Sequence, residues 1–225
     1  MTMRLSLIFI MITVTLDAMG IGLILPVMPD LIEEVQGITL SDAAIWGGIL
    51  SASYAVMQFI FSPIIGNLSD RFGRRPILLI SLLVMTVDYL IMSQANSIWL
   101  LFLGRIIAGI AAATHATALA YMADISPAEK RAQNFGLISA GFGMGFILGP
   151  VLGGILGGLD PRAPFYAAAL LAGLNLIFGI FVAPETLRAE NRRAFKWARA
   201  NPLGGIMEIG ALPNLAPLLA VMLAY

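Results

Sequence analysis

The stretch Gly141–Gly158, GFGMGFILGPVLGGILGG, contains eight glycines among eighteen residues, with a proline at its centre. Glycine loses more conformational entropy on ordering than any other residue, and an internal proline breaks a helix. Apolar segments nevertheless flank the run on both sides, which is not typical of a flexible linker. No Lys-Ser or Lys-Thr pair follows the glycines and no strand precedes them, so a phosphate-binding loop is excluded.

A helical interpretation gives these glycines a common face. Five of them recur every four residues and form one ridge without side chains along a helix: Gly141, Gly145, Gly149, Gly153 and Gly157. A ridge of this kind lets a second helix approach backbone to backbone. Pro150 removes one backbone hydrogen bond and kinks the helix, which membrane helices tolerate when neighbours satisfy the freed groups. The pattern predicts either an immobile, close-packed helix pair or a contact that moves during function.

The composition also indicates a membrane protein. Of the 225 residues, 59% are hydrophobic and only 12% are charged, whereas a soluble domain carries about 25% charged residues. A core of this size cannot absorb so many apolar side chains, so lipid must solvate many of them. The net charge of zero gives no indication of nucleic-acid binding, and the absence of cysteine excludes disulfides and thiolate metal sites.

Six apolar runs are long enough to cross the hydrocarbon core as helices, which takes about 20 residues each. We place them at residues 5–28, 43–66, 76–94, 97–121, 133–157 and 163–183. A seventh run begins near Leu212 and is too short by Tyr225 to cross. These runs predict a six-helix bundle over residues 1–184, a linker over 185–211 and the truncated start of a seventh helix over 212–225.

The basic residues predict the orientation of the bundle. Eleven of the thirteen lie on one side of the predicted spans: Arg4, Arg71, Arg74, Arg75, Lys130, Arg131, Arg188, Arg192, Arg193, Lys196 and Arg199. Cytoplasmic loops carry an excess of Lys and Arg. We therefore expect the N-terminus and the linker to lie in the cytoplasm.

Three charged residues lie inside apolar spans: Asp17, Asp88 and Arg105. A charge near the bilayer centre costs about 2.5–3.5 kcal/mol on insertion scales, so such residues are candidates for function. Asp88 and Arg105 flank a short turn at similar depth, which suits either a structural ion pair or a role in proton transfer. Asp17 lies near the midplane without an evident partner, and we predict that it takes up and releases a proton.

Other polar residues fall on common helix faces. Ser6, Thr13 and Asp17 follow one face of the first span, and Ser51, Tyr54, Gln58 and Ser62 follow one face of the second. Each stripe suits the wall of a water-filled cavity, although interhelical hydrogen bonds explain it nearly as well. His115, the only histidine, lacks the further ligands of a metal site and is either a buried, hydrogen-bonded imidazole or a cavity-lining group.

Four stretches resemble motifs of the major facilitator superfamily. GNLSDRFGRRP (Gly66–Pro76) resembles its signature between the second and third helices, and LFLGRIIAGIAAA (Leu101–Ala113) resembles its fourth-helix motif. GFILGPVLGG (Gly145–Gly154) resembles the fifth-helix motif of its proton-coupled drug antiporters, and LDAMGIGLILPVMP (Leu16–Pro29) the first-helix motif of their twelve-helix branch. Within that branch the chain is most similar to the tetracycline/proton antiporters.

The resemblance implies an all-α membrane fold of twelve helices in two halves, each built from two inverted three-helix repeats. This chain would supply the N-terminal half and the start of the seventh helix. The implied function is export of tetracycline or a related amphiphilic drug across the bacterial cytoplasmic membrane, driven by the proton gradient without a cofactor. The implied partners are protons, the lipid bilayer, the C-terminal half and the drug, taken as a cation or as a complex with a divalent metal.

The resemblance also assigns site residues. It implies proton coupling by Asp17, Asp88 and Arg105, and substrate contacts by Tyr54, Gln58 and His115. It implies a conformational switch made of Gly66, Asp70, Arg71, Gly73, Arg74, Gly145, Gly149, Pro150 and Gly153. In the resembling antiporters the glycine ridge packs against a helix of the other half, and the acidic loop residue binds the positive end of a helix there. Both partners are therefore expected outside this chain.

Two alternatives remain open at the level of sequence. One is a transporter of the same fold with another small-molecule substrate, against which the antiporter-type fifth helix argues. The other is a six-helix module that dimerises through its glycine ridge. An enzyme is not expected, because no HExxH or GxSxG motif and no paired catalytic carboxylates occur.

Overall fold

The structure is a computed structural model that describes residues 2–202, apart from the side chains at positions 2, 3, 198 and 199. The helices in this range are α1 (Thr2–Gln36), α2 (Leu40–Phe72), α3 (Arg74–Ser93), α4 (Ile98–Ala112), α5 (His115–Ile125), α6 (Arg131–Gly157), α7 (Ala163–Val182) and the short α8 (Trp197–Ala200). Single 3₁₀ turns lie at Ala128–Lys130 and Ala189–Asn191. The predicted seventh helix and the linker from residue 203 onward lie outside the described residues.

Six helices within the described range are long and apolar enough to cross a membrane, as predicted. They are Arg4–Gln36, Leu40–Phe72, Arg74–Ser93, Ile98–Ile125, Ala128–Gly157 and Ala163–Val182. The first two extend beyond their predicted ends at residues 28 and 66, because the helices continue into the polar loops. We call the face that carries Arg4, Arg74 and Lys130 the basic face.

Local signals in the sequence explain where several helices begin and end. Gly37 adopts a φ of 62° and donates its N–H to the carbonyl oxygen of Glu33 at 2.8 Å, which ends α1. Thr39 caps α2 by accepting the N–H of Asp42 at 3.4 Å. Gly73 separates α2 from α3 with a φ of 111°, a conformation that L side chains rarely adopt.

The spans pack in a pattern that relates the two triplets. The first span contacts the fifth most extensively, the second packs on the fourth, and the third packs on the sixth. Exchanging the first, second and third spans with the fourth, fifth and sixth maps these pairs onto one another. The packing therefore agrees with two related three-helix units, as predicted. Large apolar side chains on the outside, such as Leu170 and Phe181 of α7, remain exposed for contact with lipid.

The fourth span is broken, whereas the sequence predicts one continuous helix over 97–121. α4 ends at Ala112 and α5 begins at His115. Between them, the N–H groups of Ala113 and Thr114 donate to carbonyl oxygens three residues back. The Thr114 hydroxyl also donates to the carbonyl oxygen of Ala111 at 2.9 Å, and such local side-chain bonds compete with regular helix.

Candidate functional site

A small cavity lies among α1, α2, α3 and α4. The side chains that line it include Asp17, Tyr54, Tyr89 and Arg105, and its volume is about 20 Å³. A cavity of that size holds about one water molecule when polar groups line it. The structure therefore brings two of the three predicted proton-coupling residues and one predicted substrate residue to the same place.

Asp88 and Arg105 form the ion pair that their similar depth allows. An Asp88 carboxylate oxygen lies 3.7 Å from a guanidinium nitrogen of Arg105, and the two side chains are 0% and 4% exposed. Within residues 2–202, neither carboxylate oxygen of Asp88 has a hydrogen-bond partner, and Nε and Nη2 of Arg105 have none either. The pair is thus buried but loosely made, and Arg105 also faces the cavity that holds Asp17.

Asp17 is the third charged residue of the site, and it lies outside the Asp88–Arg105 ion pair. No hydrogen-bond partner within residues 2–202 reaches its buried Oδ2 atom. The other members of its predicted stripe do not share its surroundings. Thr13 accepts a hydrogen bond from Asn175 of α7 at 2.9 Å, and Ser6 donates to the carbonyl oxygen of Val182 at 3.4 Å. Hydrogen bonds to other parts of the bundle therefore explain Ser6 and Thr13, whereas Asp17 lines the small cavity.

A larger cavity of about 880 Å³ adjoins the small one. Gln58, Ser62, His115 and Phe142 contribute to its wall, and Ile21 and Ala112 line both cavities. Its volume falls within the range of small-molecule sites. The predicted substrate residues are therefore divided, with Tyr54 at the small cavity and Gln58 and His115 at the large one.

Gln58 and His115 meet at the break in the fourth span. The Gln58 side-chain amide donates to the carbonyl oxygen of Ala112 at 3.4 Å, one of the groups that the break leaves available. His115 begins the next helix and packs edge-on against the ring of Phe142, with centroids 5.7 Å apart. Of the two interpretations of His115, the structure favours the cavity-lining group.

The glycine ridge of α6 packs against α1 of the same half. A Cβ atom added at Gly149 would lie 2.5 Å from the carbonyl oxygen of Met19, and one at Gly153 would lie 2.5 Å from that of Leu23. At Gly145 it would meet the carbonyl oxygen of Thr15. The expectation that the partner of the ridge lies outside this chain is therefore wrong, because the backbone of α1 already occupies that face.

The position of the ridge also excludes one alternative. Gly141, Gly145, Gly149 and Gly153 are buried inside the bundle, so the chain cannot dimerise through them. Pro150 lies on the same side, since a Cβ added at Gly22 of α1 would approach its ring at 2.7 Å. These residues form a close helix contact, and whether that contact moves stays a prediction.

The loop between α2 and α3 carries an ion-pair network. Arg74 binds the carboxylate of Asp70 at 2.5 Å and the hydroxyl of Ser69 at 2.7 Å, and its Nε lies 3.7 Å from Asp124 of α5. Asp70 is thus already paired within this half, and its expected partner in the other half stays a prediction. Arg71 instead lies over the ring of Phe72 at 5.1 Å, and Gly66 lines the large cavity.

Glu185 caps α3 from the far end of the described chain. Its Oε1 atom accepts the N–H of Arg74 at 2.9 Å and the N–H of Leu187 at 3.0 Å. A Cβ on Gly73 would collide with the Glu185 carboxylate. Gly73 is thus required for its backbone conformation and also for the approach of this carboxylate.

Sequence reasoning missed three functional candidates: Tyr89, Asp124 and Glu185. Tyr89 lines the small cavity with its hydroxyl against Gly20, and its position directly after the charged Asp88 was the available signal in the sequence. Asp124 was recognisable as a carboxylate at the end of a span. Glu185 had no local signal, because its partner lies 111 residues earlier.

Comparison with known proteins identifies the family of this chain. Residues 10–225 match the profile of the Major Facilitator Superfamily. The chain is 50% identical over 204 residues to the tetracycline resistance protein, class C, of Escherichia coli, covering 86% of this chain and 51% of that protein. It is 34% identical over 177 residues to multidrug resistance protein 2 of Bacillus subtilis, covering 77% of this chain and 42% of that protein.

A solved structure shares the fold. The human organic anion transporter MFSD10 (TETRAN) superposes with a TM-score of 0.79 at 26% sequence identity, covering 94% of this chain and 56% of that one. The chain spans about half the length of the curated relatives it matches. It is a multi-pass membrane protein of a transporter family and not an enzyme, and it belongs to the Major Facilitator Superfamily.

Proposed function

We propose that the chain is the N-terminal half of a proton-coupled antiporter that exports tetracycline or a related amphiphilic drug across the bacterial cytoplasmic membrane. One observation carries the proposal. Among the described residues, the buried Oδ2 atom of Asp17 has no hydrogen-bond partner, and Asp17 lines a small cavity that adjoins a cavity of about 880 Å³. The tetracycline resistance proteins among the relatives supply the substrate class.

The chemistry of coupling is competition between a proton and the substrate. Protonation of Asp17 removes its charge and weakens its attraction for a cationic drug or a cationic complex of the drug with a divalent metal. The Asp88–Arg105 pair fixes a charge beside the same small cavity, so it supports the electrostatics of the exchange. Tyr54, Gln58 and His115 contact the drug where the two cavities adjoin.

The switch residues act through contacts that must change between two states. Arg74 holds Asp70 in this state. If Asp70 binds a helix N-terminus of the second half in another state, that bond competes with Arg74 for the same carboxylate. The excess of basic residues on the basic face supports a cytoplasmic location for this face and the N-terminus.

Drug uptake into inverted membrane vesicles tests the proposal. An imposed proton gradient should drive uptake of tetracycline by the protein completed with a second half, and a protonophore should abolish it. The negative control is vesicles without the protein. Uptake that is absent, or that persists when the gradient is collapsed, would remove the proposed function.

A further inference from the structure

The chain after the last span folds back against the basic face. We call residues 184–202 the strap. The Tyr121 hydroxyl donates to the carbonyl oxygen of Pro184 at 3.0 Å, and the Thr186 hydroxyl donates to Asp124 at 2.9 Å. With the Glu185 cap on α3, these bonds anchor the beginning of the strap to the ends of α3 and α5.

A second anchor holds the strap to the end of α2. The N–H of Arg193 donates to the carbonyl oxygen of Asp70 at 3.0 Å. The side-chain amide of Asn67, which is buried, donates to the carbonyl oxygen of Lys196 at 2.9 Å. At the second anchor the bundle thus binds the backbone of the strap, whereas strap side chains such as that of Trp197 stay exposed. A net hydrogen bond contributes only about 0.5–1.5 kcal/mol, so an anchor made of such bonds can be released.

The strap leads into the wall of the large cavity. Asn201 and Pro202 line that cavity together with Gly66, Asn67 and Asp70, which lie at the basic-face end of α2. Between the two anchors, a polar cavity of about 610 Å³ separates strap residues from Asp70, Arg74 and Asp124. The strap therefore bridges a gap and covers the basic-face end of the large cavity.

We propose that the strap is a lid over the basic-face mouth of the large cavity, and that it opens when its bonds to Asn67 and Asp70 break. The first anchor at Glu185 and Thr186 keeps the strap attached while the second releases. Its role as a gate for the drug rests on the proposed function, whereas its covering of the mouth does not.

A pair of variants isolates one bond of the second anchor. Proline at position 193 removes the N–H that Asp70 accepts. Arg192 already has φ −69° and ψ 137°, which suits a residue that precedes proline. Arg193→Ala is the matched control, because it removes the same side chain and charge but keeps the N–H. Because the chain contains no cysteine, Ser62→Cys places a single thiol in the cavity wall.

The measurement is the labelling rate of Ser62→Cys by a charged maleimide, on purified protein in lipid nanodiscs with both faces open. Arg193→Pro should label about five-fold faster than Arg193→Ala, the factor expected for losing one net hydrogen bond. Equal rates in the two proteins, whether both fast or both slow, would overturn the lid. Circular dichroism confirms that each variant is folded.

A second comparison covers the other bond of the anchor. Asn67→Ala should also label faster than Asn134→Ala, since Asn134 is likewise buried but donates to Ser126 within the bundle at 2.7 Å. Labelling that is no faster in Asn67→Ala would count against the lid. Transport is scored separately: a parent protein that labels as expected but moves no drug contradicts the proposed function and leaves the lid standing.

Discussion

Asp17 lies near the middle of the first span, where an ionised carboxylate costs about 2.5–3.5 kcal/mol on insertion scales. Within the described residues, its buried oxygen has no partner that would repay this cost. A proton or a nearby cation would offset this cost, so a carboxylate in this position is a candidate for exchanging one for the other. Structural charges are usually paired instead, as Asp88 is with Arg105.

Asp17→Asn should fold and insert but lose gradient-driven drug uptake, because asparagine resembles the protonated acid permanently. Asp17→Glu should keep part of the activity, since it retains the carboxylate and moves it by one methylene. Uptake into inverted vesicles under an imposed pH gradient measures both. Asp30→Asn is the matched control, as it makes the same change at an exposed position of α1. Wild-type uptake by Asp17→Asn would leave Asp17 a packing residue only.

Asp88 and Arg105 should behave as a coupled pair in a double-mutant cycle. Asp88→Asn or Arg105→Gln alone leaves a buried charge uncompensated, a loss on the order of 3–5 kcal/mol. The double variant should recover folded yield, measured by size-exclusion chromatography of the detergent-extracted protein. If transport recovers as well, the pair is structural. A double variant whose folded yield is no better than the worse single would contradict the pairing.

At the scale of elements, α1 and α6 make the most extensive contact among the described helices. A Cβ atom at Gly145, Gly149 or Gly153 of α6 would first meet a backbone carbonyl oxygen of α1 rather than a side chain. A backbone cannot move aside as a flexible side chain can, so any added atom must separate the helices. Other glycines of the same helix, such as Gly154, have open space around them.

Gly149→Ala should therefore destabilise the protein by about 1–3 kcal/mol, the usual cost of overpacking. Gly154→Ala on the same helix should be neutral or stabilising by up to about 1 kcal/mol, because alanine favours helix. Thermal unfolding of the two purified variants makes the comparison. Equal melting temperatures would mean that α1 and α6 are not in the contact described.

The junction between α2 and α3 depends on a cap from elsewhere in the chain. Glu185→Ala should lower stability by about 1 kcal/mol, the typical value of a helix cap, and Glu185→Gln should lose less because it keeps an acceptor oxygen. Glu190→Ala is the control, since Glu190 lies in the same segment and pairs with the exposed side chain of Arg188 at 3.6 Å. Thermal unfolding of these variants again provides the measurement, and identical losses in Glu185→Ala and Glu190→Ala would refute the cap.

For the whole molecule, the number and order of the spans followed from the sequence because length and hydropathy are local properties. The Asp88–Arg105 pair was predictable because one short turn joins the two helices. The partner of the glycine ridge was not predictable from the sequence. A helix face without side chains does not indicate which helix will pack on it. The break in the fourth span was not predictable either, because the alanines around it are good helix formers and indicate an unbroken helix.

The chain spans about half the length of its relatives, and α2 and α6 expose apolar side chains such as Phe59 and Phe146. We expect residues 1–225 alone to confer no drug efflux, because one half cannot alternate against a second. A fusion to the second half of the class C relative should restore resistance. Growth at increasing tetracycline concentration measures both. Efflux by residues 1–225 in a strain without a complementing half would contradict this.

The ridge on α6 also limits how this sequence can drift. Every single-nucleotide change in a glycine codon that yields another amino acid adds at least a Cβ atom. At Gly145, Gly149 and Gly153 that atom meets the main chain of α1, whereas at Gly136, Gly143 and Gly154 it meets open space. Random mutagenesis with selection for function should therefore leave the first three codons unaltered and diversify the last three. The close spacing of two helices would then determine which codons of the gene can change.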